Sequence, residues 1–178
     1  ALVAAFILIA CTKEQVDENV GKAARATEEL WDKSKPDNLL FKGIVIGEST
    51  YDDVVKQAGK PDTTLELGDH SLRLEYPRAP GGTSTWVVAI DGEGHVRAID
   101  QVLTAQNIAR IHPGMLEAEV REILARPSES SKYALKDETV WSWYWQEQPT
   151  QPAYFDVHFG ADGRVSSTSR RDDPKTMH

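Results

Sequence analysis

The stretch Gly47–Pro61, GESTYDDVVKQAGKP, is echoed further on by Gly114–Pro127, GMLEAEVREILARP, and this echo constrains the fold more than any other feature of the chain. Each copy opens with glycine, continues with a short helical pattern and stops at proline. Val54 recurs as Val120 at an offset of 66 positions, whereas Trp86–Ile90 recurs as Phe155–Phe159 and Gly94–Val96 as Gly163–Val165 at 69. One three-residue loop insertion accounts for the slip. A unit of about seventy residues that occurs twice predicts two copies of one small fold. So small a unit buries a modest share of its surface, so the copies are expected to lean on each other.

Within the first copy, Asn38–Ile46 carries a short apolar run that suits either a brief helix or an extended segment. Ser49 or Thr50 then caps a helix, with Asp52 or Asp53 at the spacing of a capping box. Tyr51, Val54, Val55 and Ala58 form its buried face, and Gly59 with Pro61 closes it. Leu72, Leu74 and Tyr76 alternate with Arg73 and Glu75, as in a half-buried strand. Trp86–Ile90 and Val96–Leu103 supply two more strands around the turn Asp91–Gly94.

In the second copy Thr104 caps a helix bearing Ile108 and Ile111, and a second helix carries Leu116, Val120, Ile123 and Leu124. Val140–Gln146, Ala153–Phe159 and Arg164–Ser169 read as its three strands. Ala125 replaces the closing glycine, so this helix is expected to end differently, because alanine is strained at positive φ. The fold class expected is therefore α+β: tandem ααβββ repeats, each with two helices packed on a three-stranded antiparallel sheet. The boundaries are 39–103 and 104–170, followed by a polar, disordered tail over 171–178.

Ahead of the repeats, residues 11–38 are charged and helix-prone. Val16, Val20, Ala23, Thr27 and Leu30 make a narrow stripe that Trp31 extends, which suits a mobile spacer. Residues 1–10, ALVAAFILIA, are apolar throughout and too short to span a bilayer as a helix. They lead into Leu8-Ile9-Ala10-Cys11, the order of a bacterial lipobox, with a small residue beside the scissile bond. On that reading residues 1–10 are the remnant of a lipoprotein signal peptide lacking its basic start, and Cys11 carries the acyl chains. The alternative is a buried apolar strand and an inert thiol.

Composition narrows the function. The formal net charge of −8 leaves no basic surplus for phosphates, so no nucleic-acid partner is expected. The five histidines lack metal-ligand spacing, and no metal or cofactor is expected. No Ser, Cys or Lys sits in a nucleophile motif, so no catalytic residue is assigned. Asp69-His70 and Asp156-x-His158 are the nearest approaches to an acid–base pair, and a pocket joining Asp156 and His158 to a third polar group would reopen the enzyme case.

The sequence Gly-x-Ser/Thr-x-x-(acidic)-Val, then Gly-x-Pro, then an Asp-Gly hairpin after an apolar strand resembles the SmpA/OmlA, or BamE-like, lipoprotein domain. LTAQNIARIHPGMLEAEVREIL is similar to the opening of that domain. The resemblance covers residues 39–170, in two copies where most members carry one. It implies a non-enzymatic lipoprotein on the periplasmic side of the outer membrane, held there by its N-terminal lipid and assisting the β-barrel assembly machinery. Thr12 after the cysteine agrees with outer-membrane sorting. Tandem units also resemble the β-lactamase inhibitory proteins, which implies as an alternative an inhibitor docking a concave tandem sheet on a periplasmic or secreted enzyme.

Two faces remain to be assigned. Trp141, Trp143 and Trp145 share one strand face and could form a contact platform, but the repeat aligns them with Leu72, Leu74 and Tyr76, so they are read as core. The opposite face holds Arg73, Glu75, Val87 and Arg97 in the first copy, and Tyr144, Asp156, His158 and Arg164 in the second. These eight are the candidate partner-binding residues. An ordinary solvated sheet face is the competing reading.

Overall fold

The computed structural model describes residues 22, 35–148 and 151–174. Residues 1–21, 23–34, 149–150 and 175–178 lie outside it. With them lie the segment read as a signal-peptide remnant, Cys11, which was expected to carry lipid, the expected helical stripe and the end of the expected tail. The chain divides into two compact units, Ala1–Pro36 and Asp37–His178, and every element below belongs to the second.

That unit is mostly β. The first half runs α1 (Asp37–Leu40), α2 (Tyr51–Ala58), β1 (Thr63–Glu66), β2 (Leu72–Pro77), β3 (Thr85–Ile90) and β4 (Val96–Gln101). The second runs α3 (Ala105–Ile108), α4 (Glu117–Leu124), β5 (Glu129–Tyr133), β6 (Glu138–Gln148), β7 (Gln151–Phe159) and β8 (Val165–Asp172). Each set of strands is an antiparallel meander, β1-β2-β3-β4 and β5-β6-β7-β8. The expected ααβββ repeat, with two helices on three strands, is therefore corrected: the sheets are four-stranded and the helices few and short, two of them a single turn. The extra strands, β1 and β5, are edges with no apolar alternation to announce them. Nor does the chain fray at residue 170, because β8 continues through Arg171 and Asp172.

Local chemistry fixes the helices. Thr50 and Asp53 form a capping box at α2, Thr50 Oγ1 accepting the Asp53 N–H and Asp53 Oδ2 accepting the Thr50 N–H. That backbone bond, then the Thr50 side chain, draws the Asp53 carboxyl below its ordinary range. At α4 Leu116 has no acceptor to offer, and only half the box survives: Glu119 Oε2 accepts the Leu116 N–H at 2.7 Å. The C-terminal ends match despite the glycine-to-alanine change. Gly59 (φ 83°, ψ −174°) donates its N–H to Val55, and Ala125 (φ 60°, ψ −161°) donates to Arg121. The second helix thus ends as the first does, contrary to expectation, with Ala125 in strained backbone.

Both halves stitch the loop before the longer helix to the last strand. Gly47 donates to Val96 and Val96 to Ser49; Gly114 donates to Val165 and Val165 to Met115. The inner face of the first sheet (Leu74, Tyr76, Val88, Ile90, Val96) closes over Leu40, Val54 and Ala58. The inner face of the second (Trp143, Trp145, Phe155, Val157, Phe159, Val165) closes over Leu103, Ile111, Val120 and Leu124. The tryptophans are core: Trp143 is fully buried, Trp145 nearly so, and Trp141 packs edge-on to Phe159.

The other side of α4 meets the first sheet. Ala125 packs with Val87 and Val102. Glu75, with no exposed surface, receives Arg73 Nε at 3.2 Å, the Arg126 N–H at 3.0 Å and Arg121 Nη2 at 3.6 Å. Arg73 also donates to the Glu122 carbonyl at 3.1 Å. Helix α4 therefore lies between the outer face of the first sheet and the inner face of the second.

Candidate functional site

The eight residues expected to share one contact surface are split: three lie in the joint between the halves, three lie on the outer face of the second sheet, and two stand apart. Arg73, Glu75 and Val87 lie in the joint just described, turned toward the second half of the same chain. Arg97 is exposed beside the bulge that opens β4. Arg164 stands before β8, where its Nη1 donates to the Gly114 carbonyl at 2.8 Å. Tyr144, Asp156 and His158 remain, all on the outer face of the second sheet.

Register builds that face in rows. Glu129, Ser142, Asp156 and Ser169 are cross-strand neighbours from β5 to β8; Ser131, Val140, His158 and Ser167 form the next row. Tyr144, Tyr154 and Arg171 form a third. The side chains then interlock. Arg171 Nε donates to Asp156 Oδ2 at 3.2 Å, its Nη2 stands 3.6 Å from Glu129 Oε2, and its guanidinium lies 4.2 Å over the Tyr154 ring. Tyr144 donates its hydroxyl to Asp173 at 2.9 Å. Burial, helped by that bond and by the Asp173 charge, pushes the Tyr144 hydroxyl up to about 12. Burial and then the Glu129 charge also raise Tyr154.

Between these rows lies a concavity of ≈540 Å³, lined by Glu129, Tyr133, Lys136, Glu138, Val140, Asp156, His158 and Arg171 among others. Asp156 is 6% exposed, and its Oδ1 has no hydrogen-bond partner. The Asp156–His158 pair named in the sequence does not form. His158 Nδ1 faces Glu138 Oε1 at 3.0 Å and its Nε2 faces Ser169 Oγ at 2.9 Å. A carboxylate, an imidazole and a hydroxyl thus follow one another across β6, β7 and β8, and the pocket does join Asp156 and His158 to further polar groups. Ser169 is exposed on the edge strand, however, where an oxyanion formed beside it would meet water rather than fixed donors in a closed site.

Glu129, Glu138, Arg171 and Asp173 were not in the sequence-based set. Strand β5 carries no apolar alternation, and Glu138 falls two positions ahead of the strand read from Val140. From sequence β8 reads only as far as Ser169, leaving Arg171 and Asp173 in the expected tail. The offset of 69 that matched Asp156 to Val87 had nothing apolar to match there. Among the described residues no group of three or more His, Cys, Asp or Glu could hold a metal ion, and no helix is long and apolar enough to cross a membrane.

No family model matches the chain, and no curated protein matches it. Among solved structures it is similar to a candidate osmotically inducible lipoprotein, OsmE, at 22% identity and a TM-score of 0.35, over 40% of this chain and 75% of that one. It is also similar to the DUF4309 family protein YjgB from Bacillus subtilis subsp. subtilis str. 168, at 13% identity and a TM-score of 0.30, over 74% of this chain and 84% of that one. A third is a candidate β-lactamase inhibitor protein from Streptococcus mutans, at 13% identity and a TM-score of 0.31, over 78% of this chain and 99% of that one. None of the three is described as an SmpA/OmlA protein.

Proposed function

We propose that this chain is a non-enzymatic protein-binding scaffold and that the outer face of its second sheet is the contact surface. One observation carries the reading. The two sheets have equivalent outer faces; the end of α4 covers Glu75 and Val87 on the first, whereas the second keeps a recess lined by Tyr133, Glu138, Asp156, His158 and Arg171, with Tyr144 and Tyr154 in the neighbouring row. Aromatic and arginine side chains around a recess are what protein contacts favour. The lipobox at Leu8–Cys11, read from sequence alone, would hold this scaffold at the periplasmic side of the outer membrane. The SmpA/OmlA resemblance would then make the β-barrel assembly machinery its partner.

A second reading, an inhibitor of a secreted or periplasmic enzyme, is favoured by the β5–β6 hairpin. Leu135 at its tip is fully exposed and Tyr133 half-exposed, both beside the recess, as a finger for another protein's cleft would be. Photo-crosslinkers at Tyr144 and His158, in cells, test both readings, with Arg97 as the control position. Capture of barrel-assembly components from the face supports the scaffold; capture of a soluble hydrolase supports the inhibitor. Capture from Arg97 and none from the face overturns the choice of surface.

A further inference from the structure

Val45 and Ile46 stand at the tip of the loop before α2, 48% and 61% exposed, and Leu39 in α1 is 40% exposed. Single apolar residues on a surface are ordinary, but three in so short a stretch are not scattered. The tip is held in shape by its own bonds. Ser49 donates its N–H to the Val45 carbonyl, and Ser49 Oγ accepts the Val45 N–H, each at 2.9 Å. Gly47 then fastens the turn to β4 by donating to Val96 at 2.7 Å. The Leu39 carbonyl accepts Gln57 Nε2 at 2.9 Å, and Gln57 lines a hollow of ≈570 Å³ with Val45, Lys42 and Lys56.

The second half supplies a control. Gly114 donates to Val165 as Gly47 does to Val96, which places His112 and Pro113 where the first half has Val45 and Ile46. One position earlier, Ile44 and Ile111 both pack against their cores. His112 and Pro113 are exposed, so the fold builds this turn with neither valine nor isoleucine at its tip. Aliphatic side chains at 45 and 46 therefore answer no demand of the fold.

What covers them follows from where the chain arrives. With Cys11 fixed in a bilayer, residues 12–36 can hold Asp37 at most about 90 Å away, and Leu39 follows two positions later. A small apolar tip tethered so close meets the bilayer at high effective concentration and needs no large contact of its own. Lys42 and Lys56 flank the hollow, but Glu48 and Asp53 line it too, so the attraction does not depend on anionic headgroups.

We propose that the Val45–Ile46 turn, with Leu39, enters the surface of the bilayer that holds the lipid anchor. The aliphatic side chains reach the boundary between headgroups and acyl chains, while the lysine stems extend along it. This rests on the lipobox reading of Leu8–Cys11.

Cys11 is the chain's one cysteine, so the purified full chain couples through it to a maleimide-headgroup lipid in phosphatidylcholine vesicles. Hydrogen exchange read by mass spectrometry should slow by about tenfold or more over residues 39–49 relative to the free chain, and should not change over 106–116. Giving the tip its counterpart's residues, Val45→His with Ile46→Pro, should abolish the slowing; Ile46→Ser should weaken it and serves if the pair does not fold. Equal exchange in coupled and free chains overturns the lipid surface. So does slowing that appears in the free chain as its concentration rises, because a second copy would then cover the tip. Incorporation of an alkyne fatty acid at Cys11 in cells reads the anchor separately: acylation without slowing sinks only the lipid surface, whereas slowing without acylation sinks only the anchor.

Discussion

The Glu75 carboxylate accepts the backbone N–H of Arg126 at 3.0 Å, across fifty-one positions of sequence, with none of its own surface exposed. Through this bond the end of α4 is fastened to the outer face of the first sheet, and with it the second half to the first. Glu75→Ala leaves Arg73, itself largely covered, without its carboxylate and frees the Arg126 N–H. Breaking a buried pair from one side should cost about 3 kcal/mol, and Glu75→Gln less, since the amide oxygen still accepts. Urea denaturation would show this as a lower midpoint at unchanged slope. A midpoint within error of wild type for Glu75→Ala would remove the joint from this account.

The matched helix ends give an asymmetric pair of substitutions. Ala125 sits at φ 60° where Gly59 sits at φ 83°. Ala125→Gly relieves strain of about 1–3 kcal/mol. It also forfeits a buried methyl, about 0.8 kcal/mol, and adds about 0.5–1 kcal/mol of unfolded-state entropy. The balance runs from about 1 kcal/mol lost to about 2 kcal/mol gained, so Ala125→Gly should fall no more than about 1 kcal/mol below wild type. Gly59→Ala puts a side chain at φ 83° and should cost about 1–2 kcal/mol. Thermal melts of the two variants decide it; a large loss in Ala125→Gly would show that the methyl contact with Val87 and Val102 outweighs the backbone.

Alkaline stability should report the network of the outer face. Burial and the Asp173 bond raise the Tyr144 hydroxyl from 10.0 to about 12, so between those values the folded chain holds a proton that the unfolded chain has released. The contribution is complete below pH 10 and is lost as pH rises toward 12. Tyr144→Phe should flatten that decline, and Asp173→Asn should bring the tyrosinate absorbance of Tyr144 in at lower pH. A decline unaffected by Tyr144→Phe would place its cause elsewhere.

Ser169 tests the non-enzymatic reading proposed for the chain. Its hydroxyl is 2.9 Å from His158 Nε2, which in turn faces Glu138, and that order invites comparison with a hydrolase relay. On an open edge strand the relay lacks preorganised stabilisation of an oxyanion, so a fluorophosphonate probe should leave Ser169 unlabelled and Ser169→Ala should bind partner as wild type does. Mass-spectrometric detection of the adduct on Ser169 would reverse the assignment.

The alternation of Leu72, Leu74 and Tyr76, and of Trp141, Trp143 and Trp145, made β2 and β6 legible, because a strand with one buried face writes period two into its sequence. Strand β5, Glu-Ser-Ser-Lys-Tyr, buries neither face and writes nothing. The same silence hid Arg171 and Asp173 in what read as a tail. Thr50 and Asp53 were readable as a cap since their chemistry is local. Ala125 was misjudged for the opposite reason: the methyl it carries at that strained φ packs on Val87 and Val102, which belong to other parts of the chain.

Sequence alone thus determined which side chains face each core, the hairpins and the cap of α2, all set by neighbours within a few positions or by strict periodicity. Only the tertiary structure decided between the two outer faces. Val87 and Asp156 hold matching positions in the two halves, yet the first is sealed beneath Ala125 and the second lines an open recess. Whether a polar strand face is joint or contact surface depends on what packs over it from far along the chain, and no pattern within the strand records that.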